Sequence, residues 1–110
     1  MSEKIYVTTP IYYVNDKPHI GHAYTSVATD FLARYHRIIG NDVRFQTGTD
    51  EHGLKIQKAA EKENVRPIDL CDKNSAKFRE LSKILNISNN DFIRTTEDRH
   101  IKGAQFLWKK

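Results

Sequence analysis

Apolar and polar positions along this chain alternate in short runs and recur in longer helical stripes, in an order that predicts an α/β fold. Residues 4–9 (KIYVTT) are β-branched and aromatic and are stopped by Pro10, which predicts a first strand. Residues 11–18 carry two tyrosines, then Asn15-Asp16 and a proline, and read as an ordered loop that ends where a helix can start. Tyr24, Val27, Ala28, Phe31, Tyr35 and Ile38 then fall at helical spacing, with Arg34 and Arg37 off the stripe and Gly40 placed to cap the end. Residues 43–47 predict a short second strand, 53–64 and 67–85 two helices broken at Val65-Arg66-Pro67, 91–96 a third strand and 98–110 a last helix.

A strand, a long helix and another strand in succession form a βαβ unit, with parallel strands and a right-handed crossover. Three such strands make half of a doubly wound parallel sheet, a Rossmann-like nucleotide-binding fold. Strand order is expected to reverse beside the first strand, with the ligand above the carboxyl ends of the strands at that reversal. The expectation is one incomplete unit over residues 1–110, with no second domain. Half a sheet leaves the outer edge of the first strand unpaired and an apolar helix face uncovered, which invites self-association.

Two motifs follow predicted strands. His19-Ile20-Gly21-His22 opens the first helix, where unsatisfied amides and the positive end of the macrodipole favour phosphate. Its two imidazoles share one side of a turn, and the glycine between them leaves the backbone bare enough for a flat ring to press against it. Gly48-Thr49-Asp50-Glu51-His52-Gly53 packs two carboxylates, an imidazole and two glycines into a strand-to-loop transition. A carboxylate there could pair with the ammonium group of an amino acid. Alternatively, Asp50 or Glu51 caps the helix beginning near Gly53.

Composition narrows the field. With 38% apolar and 29% charged residues the chain is neither a disordered tail nor a fibre, and no apolar stretch approaches membrane-spanning length. The net charge of +4 is compatible with a polyanionic partner such as RNA or a nucleotide, although the lysines are spread and not gathered in a block. Cys71 is the single cysteine, which rules out an intrachain disulfide and a C-x-x-C metal site and fits a reducing, cytoplasmic setting. On its apolar stripe with Phe78, Leu81 and Leu85 it reads as a buried structural thiol. His36 and His100 read as solvated surface residues, Tyr12 as core or pocket, and Phe106, Leu107 and Trp108 as packing against something outside these residues.

The run TTPIYYVNDKPHIGHAYTSVATDFLARYHRIIGNDVRFQTGTDEHG resembles the amino-terminal half of the catalytic domain of class I aminoacyl-tRNA synthetases, and within that class is similar to the methionine-specific family. His19 to His22 reproduces the class's HIGH signature, and the GTDEHG segment with the TTPIYY loop points to the methionine family over its isoleucine, leucine and valine relatives. The later DFIRTT and EDRH are similar to it as well. The resemblance implies ATP binding by His19, Gly21 and His22, with His19 and His22 as the catalytic pair donating to phosphate. It implies a methionine pocket lined by Ile11 and Tyr13, with Asp50 holding the α-ammonium group; an apolar and an aromatic wall suit a thioether. It further implies Mg²⁺ on the phosphates of ATP, methionyl-adenylate as the product of the first step, and transfer to tRNA. Nothing like the family's KMSKS-type loop occurs here, and neither does its zinc-binding insert, so the expectation is no zinc site and no activity from these residues alone.

Three other readings are open to the same residues. A small nucleotidylyltransferase also uses an H-x-G-H after its first strand, but with a phenylalanine-aspartate-proline run where this chain has TTPIYYVNDKP. A noncatalytic RNA-binding or assembly module would use the basic balance. A metal centre would need His19, His22, His52 and Asp50, and two histidines at i and i+3 are too few ligands without the others.

Overall fold

A computed structural model describes residues 2–110. Its elements run β1 (Lys4–Thr8), β2 (Tyr12–Tyr13), α1 (Ile20–Ile38), β3 (Asp42–Asp50), α2 (Leu54–Glu63), α3 (Pro67–Ile84), β4 (Asp91–Arg94) and α4 (Asp98–Trp108). Every strand pairing is parallel, and all are made with β3. Gln46 pairs with Thr8 on one side and Asp91 on the other, and Thr49 does the same with Tyr12 and Arg94. β1 and β2 therefore succeed one another along one edge of β3, with β4 on the opposite edge. Among the described residues the outer side of β1 has no strand partner.

The sheet has one closed face and one open face. Ile5 with Val43 and Val7 with Phe45 share a face, since paired residues point the same way, and Ala33 of α1 and Ile87 close over them. Farther along, Tyr12, Val14 and Phe92 pack with Ile56 and Ala60 of α2 and with Leu70, Cys71 and Phe78 of α3. Tyr6, Gln46, Ile93 and Tyr13 point the other way, where the nearest cover is the His100, Gly103, Ala104 and Leu107 edge of α4. α4 buries no residue fully, and Trp108 stays 91% exposed.

Two expectations need correction. The loop over 11–18 contains β2, a two-residue strand defined by its pairing with β3, and β3 itself runs to Asp50, past the expected end at Thr47. Gly48 lets it do so: a β-carbon there would sit 2.0 Å from the Ile93 carbonyl oxygen, so the glycine admits β4 and is not a turn residue.

α1 buries a largely polar face. Ser26, Asp30 and Ala33 are its buried residues, whereas Tyr24 (78% exposed), Phe31 (73%) and Ile38 (83%) of the apolar stripe face solvent. Hydrogen bonds fix that orientation. Asp30 Oδ1 accepts from the Ser88 amide (2.8 Å) and hydroxyl (2.6 Å), Arg37 donates to the Ser88 carbonyl oxygen (3.1 Å), and Ser26 meets the Tyr12 hydroxyl at 3.0 Å. The uncovered apolar face expected of half a sheet is thus present on this helix. Gly40, at φ +92°, takes the left-handed conformation expected just past the helix end.

Candidate active site at the carboxyl ends of the strands

Residues 14–19 lead from β2 to α1, whose start is held by histidine side chains. His19 is the N-cap, and its Nδ1 accepts the Gly21 amide at 3.0 Å, while Nδ1 of His22 accepts the His19 amide at 3.0 Å. This reciprocal arrangement is a capping box built from two imidazoles. It has two consequences. First, the Gly21 amide is used, and the His22 and Ala23 amides bond to the His19 carbonyl oxygen at 3.0 and 3.3 Å, so the helix start is less free for phosphate than its position alone suggests. Second, both Nδ1 atoms are acceptors, which puts the proton of each neutral ring on Nε2 as a donor.

The flat ring that presses on Gly21 is the His19 imidazole itself. A β-carbon at residue 21 would lie 2.8 Å from its Cε1 and 3.0 Å from its Nδ1. The His19 and His22 rings stand 3.9 Å apart, and the edges of Tyr12 (4.9 Å) and Phe78 (4.8 Å) meet the His22 ring from the closed side of the sheet. Burial, with the neighbouring His19 charge as the smaller cause, lowers the His22 pKa below its ordinary 6.5 and favours the neutral donor.

Beside these rings opens a cavity of about 510 Å³ lined by Ile11, Tyr12, Tyr13, residues 15–18, His19 and His22. The expected ring and wall residues therefore share one hollow, with Tyr12 as both core and lining. Asp50 is not part of that lining. It pairs with Tyr13 in the sheet, on the same face, at the carboxyl end of β3. Among the described residues its Oδ1 meets only the His52 amide, at 3.4 Å.

Neither Asp50 nor Glu51 caps α2: the N-cap is Gly53, at φ +117°, without a side-chain cap. Glu51 instead turns into the closed side, with its side chain 0% exposed. Its carboxylate accepts Thr49 Oγ1 (2.6 Å), Thr96 Oγ1 (2.8 Å), and Arg94 through Nε (2.7 Å) and Nη2 (2.8 Å). Arg94 reaches on to Asp72 at 2.6 Å, and its bonds with Glu51 first, then Asp72, raise its already high pKa. This node is what sequence reasoning missed; the only trace of it was an arginine in DFIRTT, far from GTDEHG.

The remaining candidates have structural surroundings. Cys71 is buried with its thiol pushed up to about 11, by burial first and Glu51 second, so it is not a nucleophile. His52 Nε2 lies 3.2 Å from the Thr95 carbonyl oxygen, and among the described residues no group of three His, Cys, Asp or Glu side chains converges as a metal site. His36 is half-buried against Asn41 (3.1 Å), and His100, within α4, is half-buried on the edge facing the sheet, so neither is the solvated surface residue expected.

A parallel sheet with an H-x-G-H turn and an acidic strand end at its carboxyl edge is the arrangement that the resemblance to class I aminoacyl-tRNA synthetases implies. Residues 5–110 match the family model for tRNA synthetases class I (M), and the chain belongs to that family. It is 59% identical over 110 residues to the methionine–tRNA ligase of Rickettsia prowazekii, covering all of this chain and 22% of that protein. Against the methionine–tRNA ligase of Mesorhizobium japonicum it is 59% identical over 107 residues, 97% of this chain and 21% of the relative. Mycobacterium tuberculosis methionyl-tRNA synthetase, solved in complex with methionyl-adenylate, superposes with a TM-score of 0.93 at 45% identity, over 99% of this chain and 21% of that one. The chain thus spans about a fifth of the length of the relatives it matches. No helix among the described residues is long and apolar enough to cross a membrane.

Proposed function

We propose that residues 1–110 supply the ATP- and methionine-facing part of a methionine–tRNA ligase, as the first half of its nucleotide-binding domain. The reaction is attack of a methionine carboxylate oxygen on the α-phosphorus of ATP, which expels pyrophosphate and leaves methionyl-adenylate; the methionyl group then passes to the terminal ribose of tRNA. ATP enters with Mg²⁺ on its phosphates as part of the substrate. The single observation that carries the reading is the histidine capping box, because it spends both Nδ1 atoms as acceptors and leaves both Nε2 atoms to donate beside a cavity at the strand ends.

In this reading the protein works by positioning and by donors aimed at developing charge, with no covalent enzyme intermediate. His19 and His22 are the catalytic pair and donate through Nε2 to phosphate oxygens. Gly21 keeps the backbone low under the His19 ring. Ile11 and Tyr13 wall the thioether, and Asp50, with an oxygen that no neighbour uses, takes the α-ammonium. The tRNA is engaged through the complete enzyme, and a reducing cytoplasm suits the lone buried thiol. The uncovered α1 stripe and the free β1 edge are covered in the complete enzyme, and in the isolated chain they favour self-association.

Replacing the matching stretch of the Rickettsia prowazekii ligase with residues 1–110 tests the proposal. The chimera is expected to catalyse methionine-dependent ATP–pyrophosphate exchange, and His19→Ala with His22→Ala to abolish it. A folded chimera whose exchange survives loss of both imidazoles overturns the assignment. The isolated 110 residues are expected to show no exchange, and robust turnover by them contradicts the incompleteness of the site.

A further inference from the structure

Asp50 and Glu51 are adjacent, yet they point to opposite sides of β3 and are held in opposite ways. Asp50 has one weak backbone contact, to the His52 amide at 3.4 Å. Every polar group of Glu51 is engaged. Four donor atoms meet its carboxylate, its amide donates to Thr95 Oγ1 at 2.8 Å, and its carbonyl oxygen faces the Cys71 thiol at 3.7 Å. The donors come from β3, from β4 and from the turn after it, while α3 contributes Asp72 and Cys71. Residue 51 is thus bolted to three elements at the point where β3 ends and the chain must turn at Gly53.

We propose that Glu51, clamped by Arg94, is a positioning residue that aims the Asp50 carboxylate at the α-ammonium group of the amino-acid substrate. This rests on the reading of Asp50 given above. Successive residues of a strand face opposite ways, so drawing the Glu51 carboxylate into the closed side sets the Asp50 carboxylate on the open side, level with Tyr13. The clamp also settles the charges. The Arg94 guanidinium is bidentate to Glu51 and spends its remaining reach on Asp72, so it does not neutralise Asp50. Among the described residues no lysine, arginine or histidine forms an ion pair with Asp50, which leaves its carboxylate open to a ligand's ammonium group.

The pattern separates a positioning role from a merely structural one. Loss of the clamp should move the ammonium site and leave the imidazoles alone, because His19 and His22 are held by their own capping box. In the ligase chimera, Glu51→Gln is expected to raise KM for methionine about tenfold with KM for ATP unchanged, since sub-ångström misplacement of a binding group carries effects of that order. Thr96→Val removes one donor at a half-buried position and gives a smaller rise of the same kind, which keeps the test alive if Glu51→Gln does not fold. Asp72→Asn loosens only the outer, exposed side of Arg94 and leaves both constants within about twofold, as expected of a solvent-screened pair. Asp50→Ala is measured alongside. If it leaves methionine KM unchanged, the ammonium site is elsewhere and the positioning role falls with it. If Asp50→Ala raises methionine KM but Thr96→Val and folded Glu51→Gln do not, or if they raise both KM values together, the Asp50 reading stands and the positioning role alone is overturned.

Discussion

The two motifs at the strand ends are built on opposite plans. The His19–His22 turn closes on itself: its hydrogen bonds span two or three residues, and the rings are gripped mainly by one another and by Tyr12 and Phe78. The Gly48–Gly53 segment is held from far away in sequence, by a glycine fitted under Ile93 and a carboxylate fitted to an arginine 43 residues later. Under the proposed function, a locally made site adjusts to phosphate without disturbing the sheet. A site made by distant elements is rigid, and in the proposed arrangement a fault in β4 is passed on to Asp50.

If that contrast is right, substitutions in the second motif cost more stability than those in the first. Glu51→Ala should have the largest effect, about 3 kcal/mol by urea unfolding of the chain, because it leaves the Arg94 guanidinium without the partner that meets it bidentately on its buried side. Gly48→Ala follows at about 2–3 kcal/mol, since the clashing Ile93 atom is backbone and β4 must move away. Gly21→Ala should cost only about 1 kcal/mol, the value of a lost helix cap, because the obstructing atoms belong to the His19 side chain, which can swing aside. Equal losses at residues 21 and 48 would erase the distinction between the motifs.

The smallest effect is electrostatic and belongs to the first motif. The folded-state pKa of His22 is lowered from 6.5, chiefly by burial, so the unfolded chain binds that proton more readily. The stability His22 contributes is therefore complete above pH 6.5 and is lost as the pH falls through 6.5 to the lowered value, with no further loss below it. Unfolding followed from pH 8 to 5 should show this decline, and His22→Gln should flatten it; an unchanged slope in that variant contradicts the assignment.

Legibility in the sequence follows the same division. The HIGH turn, the Gly40 cap and the α1 span could be read because every interaction that makes them lies within a few residues. The two-residue β2 was hidden because only its pairing with β3 makes it a strand. Glu51 reads from sequence as a cap or a ligand because its acceptor role depends on Arg94, Thr96 and a fold that brings β4 alongside. α1 is instructive in another way. Its apolar stripe is real but faces outward, and its inner face is set by Asp30 and Ser26, polar residues whose partners Ser88 and Tyr12 no helical periodicity could announce.

The central claim is that two separate ligands are gripped by the two motifs at neighbouring strand ends. Equilibrium binding of methionine and of ATP, each alone, to the ligase chimera and its Asp50→Ala and His19→Ala/His22→Ala variants tests it most directly. The account predicts a crossed pattern, in which Asp50→Ala weakens methionine and spares ATP while the histidine variant weakens ATP and spares methionine. Both variants weakening the same ligand, or neither weakening its own, would contradict it.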